Sequence, residues 1–293
     1  MHGFFYIACM ILLADAGSTK TEWAVLENTT MIDRWESPGL NPLTMSGSAI
    51  SSTLHEALHI VRMRYAWKSI YFYGAGCRDQ GQLIMKDLIS QIIPSVEIHI
   101  HSDLLGACRA VENGLPSLVS IMGTGSSCCI SDGNQILDQS SSLGYILGDE
   151  GGGADIGRKF VKLFYSGKVD PDISNAFISA TGMDQQNWIP QFYKSEDKAN
   201  RLGMIARFVL QNIDRSLCRN IIVQSVDDFF NFYANPLLDR QRIEWLYFIG
   251  GIAFQIRKIL DEYCRERKLP VPQILRRPLE GIVRYHILHS LTN

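Results

Sequence analysis

The stretch whose reading decides the fold is Ile11–Leu26, "ILLADAGSTKTEWAVL". Ile11–Ala14 reads as a buried strand, Asp15–Thr21 as a turn of small and polar residues, and Glu22–Glu27 as the returning strand of a β-hairpin. A rival reading is a secretion signal. Phe4–Ala14 imitates its apolar core, and Ala14-Asp15-Ala16 imitates its cleavage site. No Lys or Arg precedes that core, and cleavage there would sever the strand from its turn. Met10 followed by Ile-Leu-Leu reads as a natural start, which makes residues 1–9 an N-terminal extension. A hairpin turn of small residues exposes backbone N–H groups, and such a concavity suits phosphate oxygens. Gly17 would permit close approach or positive φ, Ser18 and Thr19 would add hydroxyl donors, and Asp15 could hold Mg²⁺ directly or through water. The plainer alternative is a surface hairpin whose Asp15 and Ser18 bond their own backbone.

The same device returns at "SIMGTGSSCCI", Ser120–Ile130, again strand, Gly-Thr-Gly-Ser turn and returning strand. Alone it is weak, because such turns are common. Two such hairpins, one in each half of the chain, are specific. They predict two related α/β domains that clamp a triphosphate in the cleft between them, the second beginning near residue 116. Neither the P-loop pattern nor G-x-G-x-x-G occurs, which removes support from P-loop and Rossmann readings.

Three further segments carry chemistry. In "HIHSDLLGA" Asp103 falls where a strand ends and a helix begins. Either Ser102 or Asp103 is the helix N-cap, or Asp103 is a carboxylate able to take the proton of an attacking hydroxyl. In "GYILGDEGGGADIGRK" Asp149 and Glu150 lie between glycines. Paired acids there suit bidentate bonds to sugar hydroxyls, or a dipole-favoured helix start. In "YFIGGIAFQI" Gly250-Gly251 would let a flat adenine or ribose lie on the backbone, or would serve close packing. His99 and His101 read as packing residues, and Lys198–Asp227 and Gln255–Lys268 each read as one helix. "HEALH" (His55–His59) has a zinc-protease form but no third ligand downstream, and "RKLPVPQILRR" reads as a solvated connector.

Composition bounds these readings. The chain has 293 residues, 46% hydrophobic and 20% charged, with net charge −2, which suits a globular protein with a full core. No basic excess points to nucleic acid, and no apolar run reaches the roughly 18 residues of a membrane span. The cysteines number 7, an odd count with no C-x-x-C pair. A reducing, cytoplasmic setting follows, with thiols as apolar fillers.

In their order along the chain, these elements resemble the N-acetylglucosamine kinase family, which is related to the benzoyl-CoA reductase-type ATPases within the actin-like and sugar kinase superfamily. The resemblance rests on "ADAGSTKTEW" (14–23), "GLNP" (39–42), "FYGAGC" (72–77), "SDLLGACRA" (102–110), "MGTGSS" (122–127), "LGDEGGGADIGRK" (147–159), "FIGGIAFQI" (248–256) and "PLEGIVRYH" (278–286). It implies an α/β fold of two ribonuclease-H-like, actin-like ATPase domains with an active-site cleft between them. These would be 10–115 plus 278–293, and 116–277. It also implies ATP and Mg²⁺ as cofactors, an amino-sugar substrate, no nucleic-acid or membrane partner, and a homodimer as an open option. By similarity, Gly17, Ser18, Thr19 and Lys20 form the first phosphate motif and Gly123, Thr124, Gly125 and Ser126 the second. Asp15 would serve Mg²⁺, Gly250 and Gly251 the adenosine, and Asp103 would be the general base. Asn41, Ser127, Asp149 and Glu150 would line the sugar pocket. Two departures stand out. Ser127 occupies a position where many relatives have Asn, which leaves the exact hexosamine open. Gly152-Gly153 replaces a Ser, which suggests a more mobile loop. The expected reaction is ATP-dependent phosphorylation of an amino sugar, foremost N-acetylglucosamine to its 6-phosphate. The alternatives are an ATPase that activates acyl-CoA dehydratases or reductases and a non-catalytic nucleotide- or sugar-binding relative.

Overall fold

The computed structural model describes residues 10–59, 61–183 and 185–290, so the proposed extension 1–9, with Cys9, lies outside the described residues. The chain divides into two compact units. One runs to Gly114 and takes in Gly133–Gln135 and the chain from Pro278. The other holds Leu115–Asp132 and Ile136–Arg277.

The first unit contains β1 (Met10–Ala16), β2 (Lys20–Glu27), β3 (Thr30–Pro38), α1 (Gly47–Leu58), β4 (Trp67–Gly74), α2 (Asp79–Ile92), β5 (Glu97–Ser102), α3 (Asp103–Ala110) and the chain's last helix, Leu279–Ser290. Its sheet has 5 strands in the order β3-β2-β1-β4-β5. β2 runs antiparallel to β1 and β3, whereas β4 runs parallel to β1 and β5. The C-terminal ends of β1 and β5 therefore share one sheet edge, and that edge receives both Asp15 and Asp103. Strand β1 is apolar on both faces because both are covered. Leu12 and Ala14 pack with Trp23, Phe72 and helices α1 and α2, while Leu13 packs with Tyr73 and the last helix. Trp23 has no exposed surface, stacks on Trp35 with centroids 5.9 Å apart, and donates its indole N–H to Ser37 Oγ at 2.9 Å.

The second unit repeats the plan. It contains β6 (Ser117–Met122), β7 (Ser126–Ser131), β8 (Ile136–Gln139), α4 (Gly144–Leu147), α5 (Gly153–Tyr165), α6 (Pro171–Thr181), α7 (Trp188–Lys194), α8 (Lys198–Gln211) and α9 (Ser216–Phe229). A π-helical turn over Phe230–Ala234 follows, then α10 (Asn235–Leu238), β9 (Trp245–Ile249), α11 (Gly251–Gln255), α12 (Arg257–Glu266) and β10 (Gln273–Leu275). The strand order β10-β9-β6-β7-β8 matches the first sheet, with an antiparallel meander followed by two parallel strands.

Three sequence expectations are corrected here. "RKLPVPQILRR" is no solvated connector, because Gln273–Leu275 within it pairs parallel to β9. The helix expected over Lys198–Asp227 is two helices. The Asn212 side chain donates to the Phe208 carbonyl at 2.9 Å and the chain turns at Asn212–Arg215. The helix expected over Gln255–Lys268 breaks at Ile256 into α11 and α12. No helix among the described residues is long and apolar enough to cross a membrane.

Candidate active site

In the first unit the turn between β1 and β2 is tighter than the sequence suggests. The strands run to Ala16 and from Lys20, and Gly17 N–H donates to Lys20 O at 2.9 Å. Gly17 does not have positive φ, and a Cβ placed there would meet only Lys20 O, at 3.5 Å. The glycine that the turn requires is Gly39. A Cβ on it would lie 2.4 Å from the Ser18 carbonyl carbon and oxygen, and its N–H donates to Thr19 O at 3.2 Å. The turn thus rests on a second backbone segment that only glycine lets come so near. Ser18 and Thr19 are exposed at its tip. Lys20 directs its ammonium along the sheet, 3.1 Å from Glu36 and 3.7 Å from Glu22.

Asp15 pairs across the hairpin with Glu22, which is buried and accepts from Arg34 at 2.9 Å. Desolvation, with Glu22 and Asp103 nearby, pushes the Asp15 carboxyl up to about 7, opposed by Lys20. Ser102 is the N-cap of α3, accepting Leu105 N–H at 3.2 Å, so the cap and Asp103 are different residues. Asp103 stands at the first helical position, where its Oδ1 accepts Leu104 N–H at 2.8 Å. Burial raises its carboxyl, against the pull of the Leu104 N–H and Arg78. Asn41 Oδ1 accepts Leu43 N–H at 2.9 Å, so the group it can present to a ligand is its NH₂ donor. Gly76, at φ 75°, closes over it, and a Cβ there would lie 2.3 Å from Asn41 Oδ1.

In the second unit the Gly123–Gly125 turn is knitted to the acid-bearing loop. Gly153 N–H donates to Gly123 O and Ala154 N–H to Thr124 O, both at 2.8 Å. The first donors of α5 are therefore committed to the turn. A Cβ on Gly152 would lie 2.7 Å from Gly125 C, and one on Gly125 would lie 2.6 Å from Asp149 Oδ2. Gly151 has φ 83°. Gly152 thus serves close packing and Gly151 a left-handed turn, which runs against the mobile loop expected from Gly152-Gly153. Ser126, placed as a phosphate donor by the sequence, spends its N–H on Asp149 Oδ1 at 3.3 Å and its hydroxyl on Glu150 O at 2.6 Å. It opens β7 facing the acid loop, so it ties turn to loop. Ser127 follows it in β7, partly buried and paired with Ile121. Gly250 has φ 124°, and a Cβ on it would strike Met122 O at 2.4 Å, so it is a packing glycine. Gly251 has open space where a Cβ would point.

Asp149 itself lies at φ 64°, a strained setting for a residue with a side chain. Tyr233, on the π-helical turn, holds it there. The phenol oxygen accepts Asp149 N–H at 3.1 Å and donates to Glu150 Oε2 at 2.6 Å. Burial, then Ser126 opposing it, leaves the Asp149 carboxyl raised. Burial and the Glu150 bond raise the Tyr233 phenol, which stays protonated. Beneath them Gly151 N–H donates to Ser225 Oγ at 3.1 Å, and Ser225 donates to Asp155 Oδ2 at 2.5 Å. Asp155, 1% exposed, also receives Lys159 at 2.5 Å and Arg158 at 2.9 Å. A cavity of about 410 Å³ opens beside Glu150, with Gln139, Ser140, Leu143, Phe232 and Tyr233 in its wall.

Among solved structures, a protein of Porphyromonas gingivalis that carries the provisional name N-acetylglucosamine kinase superposes with a TM-score of 0.88 at 31% identity, covering 96% of this chain and 99% of that one. This chain belongs to the N-acetylglucosamine kinase family. A Chromobacterium violaceum protein with the same provisional name (TM-score 0.74, 17% identity, 94% of this chain and 98% of that one) shares the fold. So does component A of the (R)-2-hydroxyglutaryl-CoA dehydratase of Acidaminococcus fermentans (TM-score 0.50, 12% identity, 97% and 100%). No family model and no curated protein matches the chain.

Within this N-acetylglucosamine kinase family fold, sequence reasoning passed over Gly39, Glu22, Tyr233, Ser225 and Asp155. Gly39, Glu22 and Asp155 lie inside the quoted motifs. Ser225 lies in the stretch read as helix over Lys198–Asp227, and Tyr233 lies beyond its end. The readings of His99 and His101 agree with the structure, since they stack on Tyr71 and Tyr73 with centroids 4.4 and 5.4 Å apart. Burial, then Arg109, lowers His101 to about 4. His55 Nδ1 lies 2.8 Å from Ser51 O, and no group of three His, Cys, Asp or Glu side chains among the described residues could cage a metal. Cys77, Cys108, Cys128, Cys129, Cys218 and Cys264 are buried free thiols.

Proposed function

We propose that this protein phosphorylates an amino sugar with ATP, foremost N-acetylglucosamine, giving the 6-phosphate. The observation that carries the reading is the pair Asp15 and Asp103 at one edge of the first sheet, close enough to raise the proton affinity of Asp15, beside the Gly17–Thr19 turn. The hard Asp15 carboxylate suits Mg²⁺, which dehydrates reluctantly and is held by one or two carboxylates together with substrate phosphates. Bound there, the ion would neutralise phosphate charge. Asp15 would hold it, in part through water.

In phosphoryl transfer the protein's task is to place an in-line hydroxyl and to take its proton. Asp103 would accept that proton. Its raised proton affinity moves it toward the range where a carboxylate is an effective base. Asn41 would donate to a sugar hydroxyl through its NH₂. Asp149 and Glu150 would accept from sugar hydroxyls, held in position by Tyr233. The Gly17–Thr19 and Gly123–Gly125 turns would offer backbone donors to phosphate oxygens, and Gly251 an open backbone face to the nucleoside. Ser127, partly buried in β7, would offer the sugar one short donor.

The test is release of ADP across a panel of amino sugars and hexoses. Release stimulated most by an N-acylated hexosamine supports the reading. No stimulation by any member of the panel removes it.

A further inference from the structure

The second unit carries another cavity, of about 660 Å³, formed by α4, α5, α7 and the start of α8. Its volume lies within the roughly 300–1,000 Å³ of small-ligand sites. Its wall is aromatic, with Tyr145, Tyr165, Trp188, Phe192 and Tyr193 all contributing. Trp188 and Phe192 stack at 4.9 Å with planes 15° apart, and Tyr165 stands 6.3 Å from Trp188 at 31°. Stacked on each other and flanked by Tyr165, these rings make an aromatic wall to the cavity. Tyr193 is 71% exposed and Ile146 70%, a cost in exposed apolar area that an occupant would relieve.

The charge is one-sided. Arg158, Lys162 and Lys198 line the cavity, and no Asp or Glu is among its described lining residues. Lys162 lies one helical turn beyond Arg158 on α5, and Lys198 opens α8 with its ammonium 2.5 Å from Ser195 O. Three cations around an apolar, ring-lined wall are complementary to a flat ligand with a negative group at its edge. Arg158 also ties this cavity to the acid loop, donating to Tyr145 O at 2.5 Å and Asp155 at 2.9 Å, with Glu150 3.9 Å away. An anion drawn to Arg158 competes with both carboxylates.

We propose that this cavity is an accessory binding site for a small aromatic anion, its ring packed against the wall of Tyr165, Trp188 and Phe192 and its charge met by Lys162 and Lys198. The probe is anilinonaphthalene sulfonate, followed by its fluorescence on the full chain, with neutral N-phenylnaphthylamine and aliphatic decanoate as comparison ligands. Reversing both charges, Lys162→Glu with Lys198→Glu, is expected to weaken sulfonate binding about tenfold or more while the neutral amine binds as before. For the wild-type protein, binding of the sulfonate weakens from low to high salt and that of the amine does not. This second measurement needs no variant. Unchanged sulfonate affinity in the double variant together with no salt dependence overturns the site. Displacement by decanoate at concentrations equal to the sulfonate overturns the assignment of an aromatic ligand.

Discussion

Replacing Asp155 by Ala removes the anchor under the acid loop. The carboxylate is 1% exposed and receives Lys159 at 2.5 Å, Arg158 at 2.9 Å and the Ser225 hydroxyl at 2.5 Å. Breaking a buried ion pair costs about 3–5 kcal/mol, because the partner charge is left behind. Here Lys159 keeps Asp228 at 3.0 Å and is 17% exposed, which places the ionic part at the low end. Orphaning the buried Ser225 hydroxyl adds roughly 1 kcal/mol. The sum is about 4 kcal/mol, a large share of the roughly 5–15 kcal/mol of a typical domain. With a urea slope near 3 kcal/mol/M, the midpoint should fall by about 1 M or slightly more. Asp155→Asn keeps the shape and one acceptor, so its loss should be about half. Urea unfolding followed by fluorescence and circular dichroism together reads both variants. Because Ser225 also holds Gly151 N–H, the surviving folded fraction of Asp155→Asn should show a raised sugar KM with kcat less affected. A midpoint for Asp155→Ala within about 0.2 M of wild type would refute the anchoring role, since it would equate to under 1 kcal/mol at that slope.

Three further outcomes are expected. Asp103→Asn should leave ATP binding largely intact while transfer falls by about 10²–10⁴-fold, and near-normal transfer would remove Asp103 as the base. Gly39→Ala should drive the Ser18 turn aside, since its Cβ would sit 2.4 Å from backbone, and the KM for ATP should rise roughly tenfold or more in a protein that still folds. Without divalent metal, the stability of the first unit should depend on pH through Asp15. Its folded pKa is raised from 3.8 to about 7, so the native state binds that proton more tightly than the unfolded chain. The resulting stability is full below pH 3.8 and is lost as pH rises through about 7. Asp15→Asn should remove that dependence, and thermal melts at pH 5 and pH 8 would show whether it does.

Most of the scaffold was legible because hairpins, Gly turns and strand–helix boundaries leave local marks. Asp15 at a strand end, the Gly-Thr-Gly turn and the Asp103 boundary each follow from a few adjacent residues. What escaped depends on residues distant in sequence. Gly17 looked like the turn's essential glycine, yet Gly39 is the one pressed onto Ser18. Ser126 looked like a phosphate donor until the fold brought Glu150 to its hydroxyl. Tyr233 lies 83 residues after Glu150, past the helix expected over Lys198–Asp227, so nothing local announces the phenol's double bond to Asp149 and Glu150. β10 was hidden by flanking prolines and arginines. A strand of 3 residues pairing with one neighbour leaves little periodicity to detect.

The central claim is transfer of phosphate to a sugar. The direct measurement is phosphorus NMR of ATP, Mg²⁺, N-acetylglucosamine and the purified protein. The account expects a new phosphomonoester signal growing in step with ADP and coupled to the protons of the sugar's carbon 6. ADP accumulating with inorganic phosphate at the same rate with or without sugar would contradict it and would mark the protein as an ATPase.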